Sequence, residues 1–212
     1  MSKDFFMNDI DIIDKLINDI LKDKEIFERE FNIDTLCLYN LRKNGFRDII
    51  NDDKFMSQII PSYLNKLNRF IAHEQLLLLW NIQYGVRYRV KKSDTVYLKI
   101  KQYSARESES GKLQLKKSLN DFLGIRIILP GIINTKDSIL SFLEAEKDND
   151  KVSRYYLRED GNYCGIHCYF AKNNLTFPWE LQIWDIKSEK NNHMEHKLHE
   201  EQRKNESEGI FR

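Results

Sequence analysis

Apolar residues Phe6, Ile10, Ile13, Ile17, Ile20 and Leu21 recur three and four positions apart, which puts them on one face of a helix with Asn8 placed to cap its start. A second helical stretch carries Ile59, Leu64, Leu67, Phe70 and Ile71 and runs into the apolar Leu76 to Trp80, with Pro61 either kinking it or opening a new helix. Near Tyr84 the period changes to two. Val86, Tyr88 and Val90 alternate with Arg87 and Arg89, and Val96, Leu98 and Ile100 alternate with Lys99 and Lys101. This alternation predicts a pair of strands with one cationic face.

The polar segment from Ser104 to Lys117 reads as a loop or an exposed helix, and Phe122–Leu129 as a buried strand ended by Pro130-Gly131. Ile139, Leu140, Phe142 and Leu143 predict a short amphipathic helix. Three strand-like runs follow, Val152–Leu157, Tyr163–Ala171 and Leu175–Trp184, separated by the turn-forming clusters Asp160-Gly161-Asn162 and Lys172-Asn173-Asn174. From Lys187 the chain is polar and helical. With no internal repeat or linker, the pattern predicts one α+β domain: N-terminal helices over 1–83, a sheet over 84–186 and a C-terminal helix over 187–212.

Composition narrows the function. The 212 residues can bury one substantial core, and although 32% are charged the formal net charge is only +1. No global field therefore draws the chain to nucleic acid or to an anionic membrane, and any phosphate affinity must be local. Cys37, Cys164 and Cys168 form no paired framework and no CxxC unit, which fits a reducing cytoplasm. The start, MSKDFFMNDID, lacks the basic and apolar regions of a secretion signal, and Leu76 to Trp80 is too short to span a bilayer. A soluble, cytoplasmic protein is expected.

Four local features converge on phosphate chemistry. Lys99 and Lys101, two apart in a strand pattern, would place both ammonium groups on one face, where they can hold nucleotide phosphates. Asp121 stands at the start of the buried strand, three residues before Gly124, which permits close approach, and five before Arg126; its carboxylate can hold Mg²⁺. Strand alternation puts Tyr163, Gly165 and His167 on one face, able to stack a base and hydrogen-bond its sugar. It likewise aligns Glu180, Gln182 and Trp184, so that Glu180 can accept a hydroxyl proton or share the metal. Each feature alone reads equally as ordinary surface polarity; their order gives them weight.

In that order the residues resemble the synthetase domain of RelA/SpoT homologues. That family carries a D-x-x-G-I-R strand, a G-Y-x-S/G-hydrophobic-H segment, an E-x-Q-I strand and an E-H-K-like helix. Asp121, Gly124 and Arg126, then Tyr163 and His167, then Glu180 and Gln182, then Glu195-His196-Lys197 match in turn, and the resemblance spans roughly Tyr84 to Glu201. It implies a nucleotidyltransferase-like mixed sheet of about five strands flanked by helices. It also implies transfer of pyrophosphate from ATP to a ribose 3′-hydroxyl. Asp121 and Glu180 would be the catalytic carboxylates and the Mg²⁺ ligands. Lys99, Lys101, Arg106 and Arg126 would hold ATP, while Tyr163, His167 and Gln182 would receive the acceptor.

The departures are informative. Without a His-Asp dipeptide, the hydrolase activity of the long family members is not expected. Members that use GDP or GTP approach the tyrosine through K-P-N-G-Y, whereas here the segment is Arg158-Glu-Asp-Gly-Asn-Tyr163, and Glu159 and Asp160 would repel an acceptor's 5′-phosphates. With the run from Phe177 to Trp184, this looks more like the toxic small alarmone synthetases. Such proteins modify the 3′-CCA end of tRNA, inhibit translation and are neutralised by an antitoxin. Arg42, Lys43 and Arg47 are candidate tRNA contacts. A homo-oligomer is also open. (p)ppGpp synthesis from GDP or GTP is the alternative, and a non-catalytic regulatory binding protein is the alternative of another class. A zinc site at His193, His196 and His199 is disfavoured, because i, i+3, i+6 spacing spreads the rings around a helix.

Overall fold

A computed structural model describes residues 8–31, 39–73, 75–105 and 111–209, with only the backbone course for 75–77, 199–200 and 202–209. The first apolar stripe forms α1 (Asp9–Glu30), capped by the side chain of Asn8, which accepts from the Asp11 N–H at 2.9 Å. Ile13, Leu16 and Ile17 on its inner face are fully buried. A short α2 (Phe46–Ile49) and a π-helical turn at Phe55–Ile59 lead into α3 (Ile60–His73), followed by α4 (Gln75–Tyr84). Pro61 thus lies inside one continuous helical run over 53–73, directly after the π-helical turn, whose widened bonding pattern absorbs its missing N–H. Asp19 on α1 accepts the indole N–H of Trp80 on α4 at 3.0 Å.

The sheet has five strands in the order β1-β2-β5-β4-β3. They are β1 (Arg87–Val90), β2 (Leu123–Leu129), β3 (Arg154–Asp160), β4 (Tyr163–Phe170) and β5 (Trp179–Asp185). Only the β2/β5 pair is parallel, so the sheet is mixed. Among the described residues four helices follow β1: α5 (Ser93–Ala105) and α6 (Leu115–Ser118) before β2, α7 (Ile132–Asp148) crossing from β2 to β3, and α8 (Glu189–Gly209) after a 3₁₀ turn. This is the α+β domain that the alternation predicts, with the mixed sheet and flanking helices that the resemblance implies.

Strand parity sorts the two faces. Ile125, Ile127, Ile166, Cys168, Leu181 and Ile183 are at most 1% exposed and form the apolar face. Register puts Gly124 beside Glu180, Arg126 beside Gln182 and His167 beside Gln182 on the other face. An aromatic cluster of Phe27, Tyr63, Phe122, Phe177 and Trp179, with ring centroids 4.6–5.7 Å apart along its contacts, holds α1 and α3 to the sheet.

One element departs from the sequence reading. Val96, Leu98 and Ile100 lie on a helix, α5 (Ser93–Ala105), not on a strand. Over so short a run both periods fit: Val96 and Ile100 are also i, i+4, and both are fully buried. Asp94 in the first turn favours the helix through its dipole. On a helix Lys99 and Lys101 point about 200° apart, so they do not share a face.

Candidate active site

Asp121 stands just before β2, and two cations reach it from different elements. Lys91, next after β1, donates to Oδ2, and Lys99 on α5 donates to Oδ1 at 3.3 Å and to the Ser118 carbonyl. The Lys91 backbone is fixed by its N–H to the Phe122 carbonyl at 2.9 Å. Burial opposes charge on Asp121, but the Lys99 and Lys91 ammonium groups outweigh it and hold the carboxyl well below the usual range.

Glu180 in β5 is buried within a fan of donors. Oε1 accepts from His167 Nδ1 at 2.9 Å and from the Tyr169 hydroxyl at 2.7 Å, and Oε2 accepts from Gln182 Nε2 at 2.9 Å. Burial and the nearby Asp121 raise its pKa, yet the hydrogen bonds from His167 and Tyr169 leave it lowered, so it is ionised. The Gln182 carbonyl in turn accepts from Arg126 Nε at 3.1 Å and Nη2 at 2.9 Å, which orients both side chains. Arg126 also lies 3.6 Å from the Trp184 ring centroid. Burial pushes its pKa down to about 10, so the guanidinium stays charged at neutral pH.

Asp121, Glu180, Lys99, Arg126, His167 and Gln182 line one cleft of about 700 Å³. Other expected site residues do not join them among the described residues. Lys101 is exposed on the far side of α5, and Arg106 is outside the described residues. Lys43 is exposed, and Arg47 pairs with Asp48 at 3.5 Å. Arg42 lines a neighbouring groove. Tyr163 is only 3% exposed, covered by Arg158 at 5.0 Å and edge-on to Trp184 and His196. The ring open to the cleft is Tyr156, 37% exposed and parallel to His167 at 5.2 Å.

The proposed repulsion of acceptor phosphates by Glu159 and Asp160 is corrected by strand parity. Glu159 has the parity of Tyr155 and Leu157, away from the cleft, and sits 3.8 Å from Lys136 on α7. Asp160 is neutralised by Arg158 at 2.7 Å. The cleft is instead cationic, because Arg87, Arg89, Lys91, Lys117, Arg154 and Arg158 line it as well. Alternation in the sequence already aligned Arg87 and Arg89, and Lys91 continues their period; Lys117 and Arg154 carry no such local signal.

Two carboxylates suit Mg²⁺, which retains waters and needs few protein oxygens beside substrate phosphates. Each oxygen of Asp121 takes one lysine contact and Oε2 of Glu180 one amide, so lone pairs remain for a cation. Among the described residues no group of three or more His, Cys, Asp or Glu is arranged to hold a metal. His193 and His196 line the cleft, and the side chain of His199 lies outside the described residues. No described helix is long and apolar enough to cross a membrane.

The family described as "Region found in RelA / SpoT proteins" matches residues 88–205. No curated protein matches the sequence. Among solved structures, small alarmone synthetase 2 from Bacillus subtilis is 15% identical, with 71% of this chain and 82% of that chain covered and a TM-score of 0.36. Small alarmone synthetase 1 from Bacillus subtilis, bound to its product pppGpp, is 16% identical over 71% and 81% of the two chains, with a TM-score of 0.36. A second structure of synthetase 1 gives 17% identity over 71% and 80%, with a TM-score of 0.37.

Proposed function

The chain belongs to the RelA/SpoT family of ATP pyrophosphokinases, and on that premise we propose that its acceptor is the ribose 3′-hydroxyl at the 3′-CCA end of tRNA. Support for the transfer site comes from one observation: Asp121 and Glu180 line a single cleft ringed by lysine and arginine. Mg²⁺ held between these carboxylates would offset charge on the ATP phosphates.

In this reading Lys99, Arg126, Arg87 and Arg89 bind the triphosphate and keep it in line. Ionised Glu180 orients the 3′-hydroxyl through Oε2 and takes its proton as the oxygen bonds to the β-phosphorus. The bond from that phosphorus to the α,β-bridging oxygen breaks, and AMP leaves with the electron pair. Positioning and charge stabilisation supply most of the rate, as expected for phosphoryl-type transfer. Tyr156, rather than the buried Tyr163, is the ring available to an acceptor base.

The tRNA acceptor is supported by a cationic groove that leads out of the cleft, and it makes the protein a translation-inhibiting toxin with a neutralising antitoxin. Synthesis of (p)ppGpp from GDP or GTP is the second reading, favoured by Arg154 and Arg158 on the cleft face of β3, where a 5′-polyphosphate could bind. Purified protein with γ-labelled ATP and GDP, GTP or deacylated tRNA separates them. Label in tRNA is expected, and Asp121→Asn and Glu180→Gln should each abolish it with the fold intact. Label in the guanosine nucleotides alone would overturn the tRNA acceptor.

A further inference from the structure

Lys117, Asn120, Arg154 and Tyr169 line both the cleft and a second groove of about 220 Å³ beside it. Arg42 and Lys116 line the groove but not the cleft. The four cations come from distant parts of the chain and are gathered by backbone bonds. Leu41 N–H donates to the Asn174 carbonyl at 2.8 Å, Lys116 N–H to the Leu41 carbonyl at 2.7 Å, and Ser153 N–H to the Tyr169 carbonyl at 2.8 Å.

Their side chains are partly fixed without being neutralised. Lys116 Nζ donates to the Asn173 carbonyl at 3.0 Å and to Asn174 Oδ1 at 2.8 Å. The Arg154 guanidinium lies 4.3 Å from the Tyr169 ring centroid. Among the described residues none of Arg42, Lys116, Lys117 and Arg154 is paired with a carboxylate. Burial, then the neighbouring Arg42, pushes the Lys116 pKa down, as expected for a cation held near another without a counter-charge. A chain whose formal net charge is +1 has thus concentrated four uncompensated cations in one groove. Their mutual repulsion is relieved only by an anion.

We propose that this groove is a subsite for the phosphodiester preceding the accepting nucleoside of an RNA 3′ end; the inference rests on the polynucleotide-acceptor reading above. An acceptor ribose with its 3′-oxygen at Glu180 carries its 5′ substituent on the far side of the sugar. For a free nucleotide that substituent ends inside the cleft, where Arg154 and Arg158 suffice. Arg42 and Lys116 lie outside it and serve only a ligand that continues outward. Of the three basic residues singled out near the N-terminus, Arg42 alone lines the groove.

The test compares wild type with Arg42→Glu, whose side chain makes no hydrogen bond among the described residues. Transfer of label from γ-labelled ATP to deacylated tRNA and to GDP is measured across a KCl series. Expected is a rise of about tenfold or more in KM for tRNA. The slope of log KM against log salt should fall by about 0.7, the share of one single-strand phosphate contact. KM for ATP and kcat at saturating tRNA should stay within twofold, a split that structural damage would not give. If Arg42→Glu does not fold, Arg42→Gln is read the same way, with a smaller rise. Labelled tRNA with unchanged KM and slope in the variant overturns the subsite and leaves the acceptor reading standing. A rise in KM for GDP as large as that for tRNA overturns the phosphodiester assignment. Label in GDP but not in tRNA overturns the acceptor reading itself.

Discussion

Trp184 donates its indole N–H to the hydroxyl oxygen of Tyr163 at 3.0 Å, and this fixes the direction of the hydrogen bonds leading to Glu180. An indole N–H can only donate. Tyr163 therefore accepts from Trp184 and has its own proton free to donate to His167 Nε2, 2.8 Å away. With Nε2 accepting, His167 carries its proton on Nδ1 and gives it to Glu180 Oε1. Tyr163 and Trp184 are positioning residues here. In ¹⁵N spectra His167 is expected to carry a proton on Nδ1; an Nε2–H tautomer with a bare Nδ1 in the wild type would contradict this directionality. Tyr163→Phe should leave the Nδ1 proton in place, because the ionised Glu180 still requires it, and cost about 1–3 kcal/mol in urea unfolding, because it leaves a buried donor and a buried acceptor unpaired.

Asp121 depends on Lys91 as much as on Lys99. Replacing Lys91 by Met leaves a carboxylate with one ammonium partner in place of two and raises its pKa. A fall of about 10²-fold in kcat/KM is expected, comparable to losing one preorganised charge contact. Lys101→Met should stay within twofold, because Lys101 projects from the opposite side of α5. Steady-state label transfer checks both, and equal losses at positions 91 and 101 would contradict the helical placement.

The strands were the most legible part of the fold, since a clean period of two over Leu123–Leu129 or Trp179–Asp185 has no helical reading. Parity alone therefore set Glu180, Gln182 and Trp184 on one face, with Tyr163 and His167 on theirs. The run over Val96 to Ile100 misled because five residues satisfy both periods, and the helix-favouring Asp94 lay upstream of the alternation. Burial was the second illegible quantity. Parity gives the face on which Tyr163 lies but not that Arg158, Trp184 and His196 cover it, since those contacts come from β3, β5 and α8. The groove joining Arg42 to Arg154 unites residues over a hundred positions apart through loop backbone bonds, which no local pattern encodes.

Gly165 is needed for Trp184 to pack. A Cβ at that position would lie 2.8 Å from Trp184 Cδ1, 2.9 Å from Nε1 and 3.0 Å from the Tyr163 hydroxyl. Trp184 has little room to retreat, being fully buried with Arg126 and His196 packed against it. Gly165→Ala is expected to cost about 1–3 kcal/mol through overpacking and to lower activity with it. Gly124→Ala is the contrast: its nearest contact would be the Arg89 carbonyl at an ordinary 3.8 Å. Thermal unfolding should leave Gly124→Ala near wild type, with its effect confined to substrate KM because Gly124 lines the cleft.

His196 makes stability depend on pH in a defined window. Burial, reinforced by the Arg126 guanidinium that donates toward Nε2 at 3.5 Å, pushes its pKa down to about 4. His167 and Arg158 act in the same direction and Glu180 opposes them. In the unfolded chain the ring returns to its ordinary value near 6.5. Between about pH 6.5 and 4 the unfolded state thus binds the extra proton, and the unfolding free energy falls as the pH is lowered. The slope from this residue cannot exceed about 1.4 kcal/mol per pH unit, the linkage of one proton. His196→Gln keeps an acceptor toward Arg126 without a titrating ring. Urea unfolding at pH 7 and pH 5 should show a smaller drop in the variant than in the wild type. Equal drops would mean that the His196 proton is bound alike in both states. Asp121, ionised through Lys91 and Lys99, adds its own loss as the pH falls through the ordinary carboxylate value and below it, so most of its contribution lies on the acid side of the His196 window.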